Sequence, residues 1–132
     1  WIKNSKGQYL IAQRSASREN NPLKWECSGG SVLKGENSMQ GALREVKEEV
    51  GVDLDSAKGK VIFSHTRGII NGNKFNDIMD VWLFEYNGEA HLDKATTDEV
   101  AQTKWLYPDE IKELYNQQKF VSTLTYFFDK IA

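Results

Sequence analysis

Three carboxylates within five residues, Glu45, Glu48 and Glu49, are the groups in this chain best placed to do chemistry. Around them, Ser38 to Val50 carries Met39, Leu43, Val46 and Val50 at intervals of four, three and four, the period of an amphipathic helix, and Gly51 follows as a C-terminal cap. At about 100° per residue these apolar side chains share one face, which predicts that Leu43 and Val46 are buried and that the three glutamates gather on another face. Glu45 and Glu49 are like charges four apart, a repulsion of about 0.2–0.5 kcal/mol. They also sit in the last turns, where the negative end of the helix dipole disfavours each carboxylate by up to about 1 kcal/mol. A divalent cation relieves both penalties, and three carboxylates suit the octahedral oxygen shell of Mg²⁺. The competing reading is a solvated acidic face in which Arg44 pairs with Glu48 at the favoured spacing. Helix physics alone leaves both open.

The rest of the composition narrows the chemistry. The chain has 132 residues, with 17 Lys plus Arg against 19 Asp plus Glu and a formal net charge of -2, which disfavours a dedicated nucleic-acid binder. One cysteine, Cys27, cannot form an internal disulfide, and with only His65 and His91 besides, soft-metal ligation is nearly excluded. Any metal is therefore a hard one held by oxygen. No apolar stretch approaches the ~20 residues of a membrane helix and no signal core is visible, so the expectation is a soluble, cytoplasmic, single domain over residues 1–132. Trp1 opens straight into a strand-like run, which suggests that the first strand is incomplete.

Several elements must position the carboxylates. Gln8 to Gln13 reads as the second arm of a hairpin begun at Trp1, across the turn Asn4-Ser5-Lys6-Gly7. Ala16 to Leu23 reads as loop, Trp25 to Cys27 as a short extended piece, and Gly29 to Gly35 as a glycine-bounded loop leading to the helix. Lys60 to Ile70 and Lys74 to Tyr86 read as a hairpin about Asn71-Gly72-Asn73. The second arm is apolar on both faces at Ile78, Met79, Val81, Trp82, Leu83 and Phe84, so helices are expected above and below the sheet. Pro108 starts a helix through Ile111, Leu114 and Tyr115, and a last helix is expected near Val121 to Ile131.

The run Gly30, five residues, Glu36, seven residues, then Arg44-Glu45-Val46-Lys47-Glu48-Glu49-Val50-Gly51-Val52 resembles the Nudix box at every specified position. The order of flanking elements also resembles that family's α/β/α sandwich, a mixed β-sheet between helices. The resemblance implies metal-dependent hydrolysis of a diphosphate linkage in a nucleoside diphosphate-X or related small diphosphate compound, with Mg²⁺ or Mn²⁺ as cofactor. It implies Glu45, Glu48 and Glu49 as metal ligands, with Glu48 also a catalytic candidate, and Glu36 paired with Arg44 as structural support. Glu99, in a polar loop six residues before Trp105, matches the spacing of a family loop glutamate that serves as metal ligand or general base, with Asp98 its nearest rival.

The same resemblance marks Arg14, Gly30 and Lys34 as substrate-binding candidates, Arg14 because its fork geometry suits phosphate. Of these Lys34 is a weaker candidate, as is Lys24, and His65, Arg67 and Asp80 lie on strands that could face a pocket. Cys27-Ser28 departs from the family's usual hydrophobic-proline pair. That departure raises an isopentenyl-diphosphate-isomerase-like enzyme as an alternative, although a buried inert thiol is expected. A nucleotide-sensing Nudix module without turnover is the other alternative, and such modules commonly lack box carboxylates that are present here. A homodimer is common among similar proteins.

Overall fold

A computed structural model describes residues 1–70 and 73–132, without the side chains of residues 67–70 and 73–77. The Asn71-Gly72 turn and the Arg67 side chain lie outside the described residues. The strands are β1 (Ile2–Lys3), β2 (Tyr9–Arg14), β3 (Trp25–Glu26), β4 (Gly59–Ile70), β5 (Asn73–Glu85) and β6 (Val100–Leu106). The helices are α1 (Ser38–Val50), α2 (Pro108–Asn116) and α3 (Tyr126–Lys130). The six strands form one sheet in the order β3-β2-β1-β5-β4, with β6 pairing β2. β1 runs antiparallel to β2 through Lys3↔Tyr9 and parallel to β5 through Ile2↔Phe84, so the sheet is mixed.

Period-two alternation along β2 explains the layering. Tyr9 and Ile11 point into one core with Trp1, Trp25, Val81, Ile111, Phe120 and Phe127, while Leu10 and Ala12 point into the other with Ile2, Val46, Val50 and Val52. The first core carries α2 and α3 and is aromatic: Trp1 stacks on Phe127 at 4.5 Å and Tyr9 meets Phe127 edge-on at 4.9 Å. The second core carries α1. Both faces of the sheet are thus covered, as the two-sided apolar pattern of β5 requires.

Helix α1 begins at Asn37, whose side chain accepts from the Gln40 backbone while Gln40 returns the bond, and ends at Gly51 with φ 69°. Its buried face differs from the wheel expectation. Val46, Glu49 and Val50 turn inward, whereas Met39 and Leu43 are only half-buried. The reason is tertiary: Gly41, flush against Val32, and Trp82 bonding to Ser38 settle the helix roll, and the wheel contains neither neighbour. Leu43→Ala is therefore expected to destabilise by about 1 kcal/mol, against about 2–5 kcal/mol for Ile111→Ala in the core. Equal losses in urea unfolding would show that the roll is wrong.

Two other elements depart from the sequence reading. Val100–Leu106, to which the sequence reading assigns no element, is a strand, held by a six-residue ladder with β2. The last helix is shorter than expected, a 3₁₀ turn at Ser122–Leu124 followed by the five-residue α3. Ser122, Thr123 and Thr125 favour turns over helix interiors. Among the described residues, no helix is long and apolar enough to cross a membrane.

Candidate functional site

Arg44 organises one half of the site. Its Nε donates to Glu36 Oε2 at 2.8 Å, its Nη1 to Glu45 Oε1 at 3.1 Å and Glu48 Oε2 at 3.0 Å, and its Nη2 to the Ser31 carbonyl at 2.8 Å. Glu36 in turn accepts from the Leu33 backbone at 2.8 Å, so the glycine-bounded loop and α1 are joined through one ion-pair hub. Hydrogen bonds from Arg44 and Leu33 hold the Glu36 carboxyl below its ordinary range, and Arg44 is held more firmly protonated by Glu36 first and Glu45 next. Gly30 lies directly against the Glu45 carboxylate, and any Cβ there would collide with it. Lys34 is exposed on the same loop and forms no ion pair among the described residues.

Glu49 is different. It is 9% exposed and, among the described residues, has no ion pair, although Glu36, Glu45, Glu48 and Glu99 each have one. Burial, then the charges of Glu45, Glu26 and Glu99, push its carboxyl up to about 8, opposed by a hydrogen bond from the Gly29 backbone. The three helix glutamates therefore do not form one exposed acidic face. Glu45 and Glu48 are held by Arg44, while Glu49 turns inward toward the sheet.

The second half comes from the sheet. Glu26 on β3 pairs in register with Ala12, whose side chain faces α1, and so sits on the α1 side. Its two carboxylate oxygens accept from Arg14 Nη1 at 3.0 and 2.8 Å, and Arg14 Nε donates to the Asn20 carbonyl at 2.9 Å. Burial raises the Glu26 carboxyl against the pull of Arg14. Glu99, 44% exposed in its side chain, stands 3.5 Å from Arg18 and is tied at its carbonyl to the Ser15 backbone at 2.9 Å. The segment before Glu99 is clipped to the end of α1, with Thr96 N donating to Glu48 O at 2.9 Å and His91 N to Val50 O at 2.8 Å.

Sequence reasoning missed Glu26 and Arg18. A signal for Glu26 was present: in Trp25-Glu26-Cys27 an acid alternates with two apolar residues on a short strand, so it must face away from the core that takes its neighbours. Cys27 follows that alternation and packs against the aromatic core on the α2 side, with burial pushing its thiol up to about 11. Asp80 accepts from Ser64 at 2.6 Å and is held low by Ser38 and Ser64, which ties it to the start of α1 and away from the helix end that carries Glu49.

The donor set fits a hard divalent cation. Every candidate ligand is a carboxylate, and Glu49 is a buried acid whose charge is opposed by burial and by Glu45, Glu26 and Glu99, with only the Gly29 backbone hydrogen bond favouring it, a conflict that a cation resolves. Among the described residues, no three carboxylate, imidazole or thiol groups already converge as a cage. Arg44 Nη1 bridges Glu45 and Glu48, and Arg18 stands against Glu99, so these three carboxylates each face an arginine.

Known proteins resemble this chain along most of its length. The NUDIX domain family model matches residues 1–126. An uncharacterized Nudix hydrolase of Listeria innocua is 34% identical over 128 residues, covering 96% of this chain and 70% of that protein. An RNA pyrophosphohydrolase of Erythrobacter litoralis is 28% identical over 126 residues, covering 86% and 76%. The crystal structure of a MutT Nudix hydrolase from Burkholderia pseudomallei shares the fold with TM-score 0.71 at 19% identity, over 99% of this chain and 95% of that one.

Proposed function

Because this chain belongs to the Nudix hydrolase family, we propose that its residues 1–132 form a single domain that hydrolyses the diphosphate linkage of a nucleoside diphosphate-X or related small diphosphate compound, with Mg²⁺ or Mn²⁺. The observation that carries this reading is Glu49, a buried carboxylate without an ionic partner among the described residues, set among Glu45, Glu26 and Glu99. Glu45, Glu48, Glu49 and Glu99 would hold the cation. When bound, the cation supplies charge neutralisation for the diphosphate and lowers the pKa of an attacking water.

The chain's own residues do the rest. Arg44 and Glu36 keep loop and helix in register, and Gly30 leaves the room that the Glu45 carboxylate occupies. Glu99, on a partly exposed loop and facing Arg18, would either complete the metal shell or take the proton of the water as a general base, and Glu48 is the alternative base. Lys34, exposed on the glycine-bounded loop, adds positive charge for the phosphates, whereas the Arg14 guanidinium, expected to do the same, is engaged by Glu26 and the Asn20 carbonyl. Cys27 faces the opposite side of the sheet as a protonated thiol, which favours the hydrolase over an isomerase.

The test is a panel of nucleoside diphosphate sugars, dinucleotide polyphosphates, nucleoside triphosphates and ADP-ribose with Mg²⁺, read by product mass, for the parent and Glu45→Gln. Cleavage at a phosphoanhydride in the parent, lost in the variant, is expected. Equal turnover in both would overturn the metal assignment, and no cleavage of any compound by the parent would overturn the hydrolase reading.

A further inference from the structure

The two arginines beside Glu26 and Glu99 are held very differently. Arg14 is locked: its side chain is 12% exposed, its Nη1 bonds both oxygens of Glu26, and its Nε bonds the Asn20 carbonyl. Arg18 is loosely held, 27% exposed and 3.5 Å from Glu99, beyond ordinary hydrogen-bond length. Arg14 ends β2, and Arg18 lies in the loop of residues 15–24 that follows it, which takes an unfavourable path. Asn21 and Leu23 have φ 50° and 63°, left-handed values that a residue with a Cβ rarely adopts. Such a path persists only where its surroundings over-determine it. The tethers are visible: Arg14 N to Lys24 O at 2.8 Å, Leu23 N to Arg14 O at 3.0 Å, Gln13 Nε2 to Leu23 O at 3.0 Å, and the Arg14 side chain to Asn20.

We propose that Glu26 is a positioning residue: its grip on Arg14, and through Arg14 on Asn20, holds the loop so that Arg18 meets a substrate phosphate beside Glu99. The inference rests on the hydrolase reading above and deepens it, assigning the cationic contact for the diphosphate to Arg18. A phosphate oxygen offers a guanidinium shorter, paired hydrogen bonds than its present contact with Glu99. Arg14, with two of its nitrogens committed, serves as the tether.

A double-mutant cycle tests this, with Glu26→Gln, Arg18→Ala and the double variant, and Arg14→Lys as a second route should Glu26→Gln fail to fold. Three quantities are measured: KM and kcat on the cleaved compound, the Kd of methylenediphosphonate with Mg²⁺ by calorimetry, and Mn²⁺ affinity by electron paramagnetic resonance. Each single variant is expected to raise KM and the diphosphonate Kd about tenfold, with kcat and Mn²⁺ affinity within about twofold. The double variant should be no weaker than Arg18→Ala alone, a non-additivity that a general loss of structure does not produce. Additive losses, or an unchanged diphosphonate Kd, would overturn the proposal. So would a fall in Mn²⁺ affinity in Glu26→Gln, since Glu26 would then be a ligand. If the parent cleaves nothing yet binds the diphosphonate through Arg18 with the same non-additivity, the hydrolase reading falls and the positioning role stands.

Discussion

Glu49→Gln is expected to lower turnover by about 10² to 10³ fold while making the metal-free protein more stable at alkaline pH. The carboxyl of Glu49 is raised from 4.5 to about 8 in the fold, chiefly by burial and then by Glu45, Glu26 and Glu99. Between those values the folded chain binds more protons than the unfolded one, so the metal-free protein loses stability as pH rises from about 4.5 to about 8. Below that window both states are protonated and the penalty vanishes; above it the penalty is complete, on the order of a few kcal/mol. Glutamine removes the charge and with it this slope. Urea unfolding in EDTA at pH 5 and pH 8.5 checks the expectation, with the variant ahead of the parent at the higher pH and the gap narrowed at the lower. Parallel pH profiles would mean that Glu49 is not a buried acid among like charges. Adding Mg²⁺ should stabilise the parent at pH 8.5 and the variant much less, because a ligand stabilises only a state that binds it.

Gly51→Ala is expected to cost about 2–4 kcal/mol of stability. Two independent demands meet at this position. Its φ of 69° closes the C-terminus of α1, a conformation that alanine resists, and any Cβ there collides with the backbone carbonyl of His91. A carbonyl cannot rotate aside as a side chain can. Its displacement would also disturb the 2.8 Å bond from His91 N to Val50 O and the segment that leads to Glu99. Gly51→Asn separates the two demands, since asparagine tolerates left-handed backbone but still presents a Cβ. If Gly51→Asn is as stable as the parent in urea, the approach of His91 is not limiting, and only the backbone conformation matters.

Much of the architecture was readable because it depends on local periodicity. The helix Ser38–Val50 with its glycine cap, the start of α2 at Pro108 and the two long strands follow from spacing and turn chemistry within a few residues. The strand Val100–Leu106 did not, since its structure is supplied by β2, some ninety residues away in sequence, and not by its own propensity. The same applies to α3, where an expected long helix gives way to a turn and five residues packed by Phe127 against Trp1.

The site divides along the same line. Sequence by itself determined that an acidic helix follows a glycine-bounded loop and that any metal must be a hard one, because residue type and helical spacing set these; the pairing of Glu36 with Arg44 came only from the resemblance to the Nudix box. The sequence could not determine which glutamate is buried, since the roll of α1 depends on tertiary contacts with Val32 in the preceding loop and Trp82 on the distant β5. Nor could it distinguish Arg14 from Arg18, which differ only in what the fold brings to each: Glu26 and Asn20 to the first, a single long contact with Glu99 to the second. Charge and spacing are properties of the chain, whereas burial and partnership arise only when β2, β3 and β6 bring distant residues to one face of the sheet. The proton affinity of Glu49 and the freedom of Arg18 are therefore products of the tertiary structure.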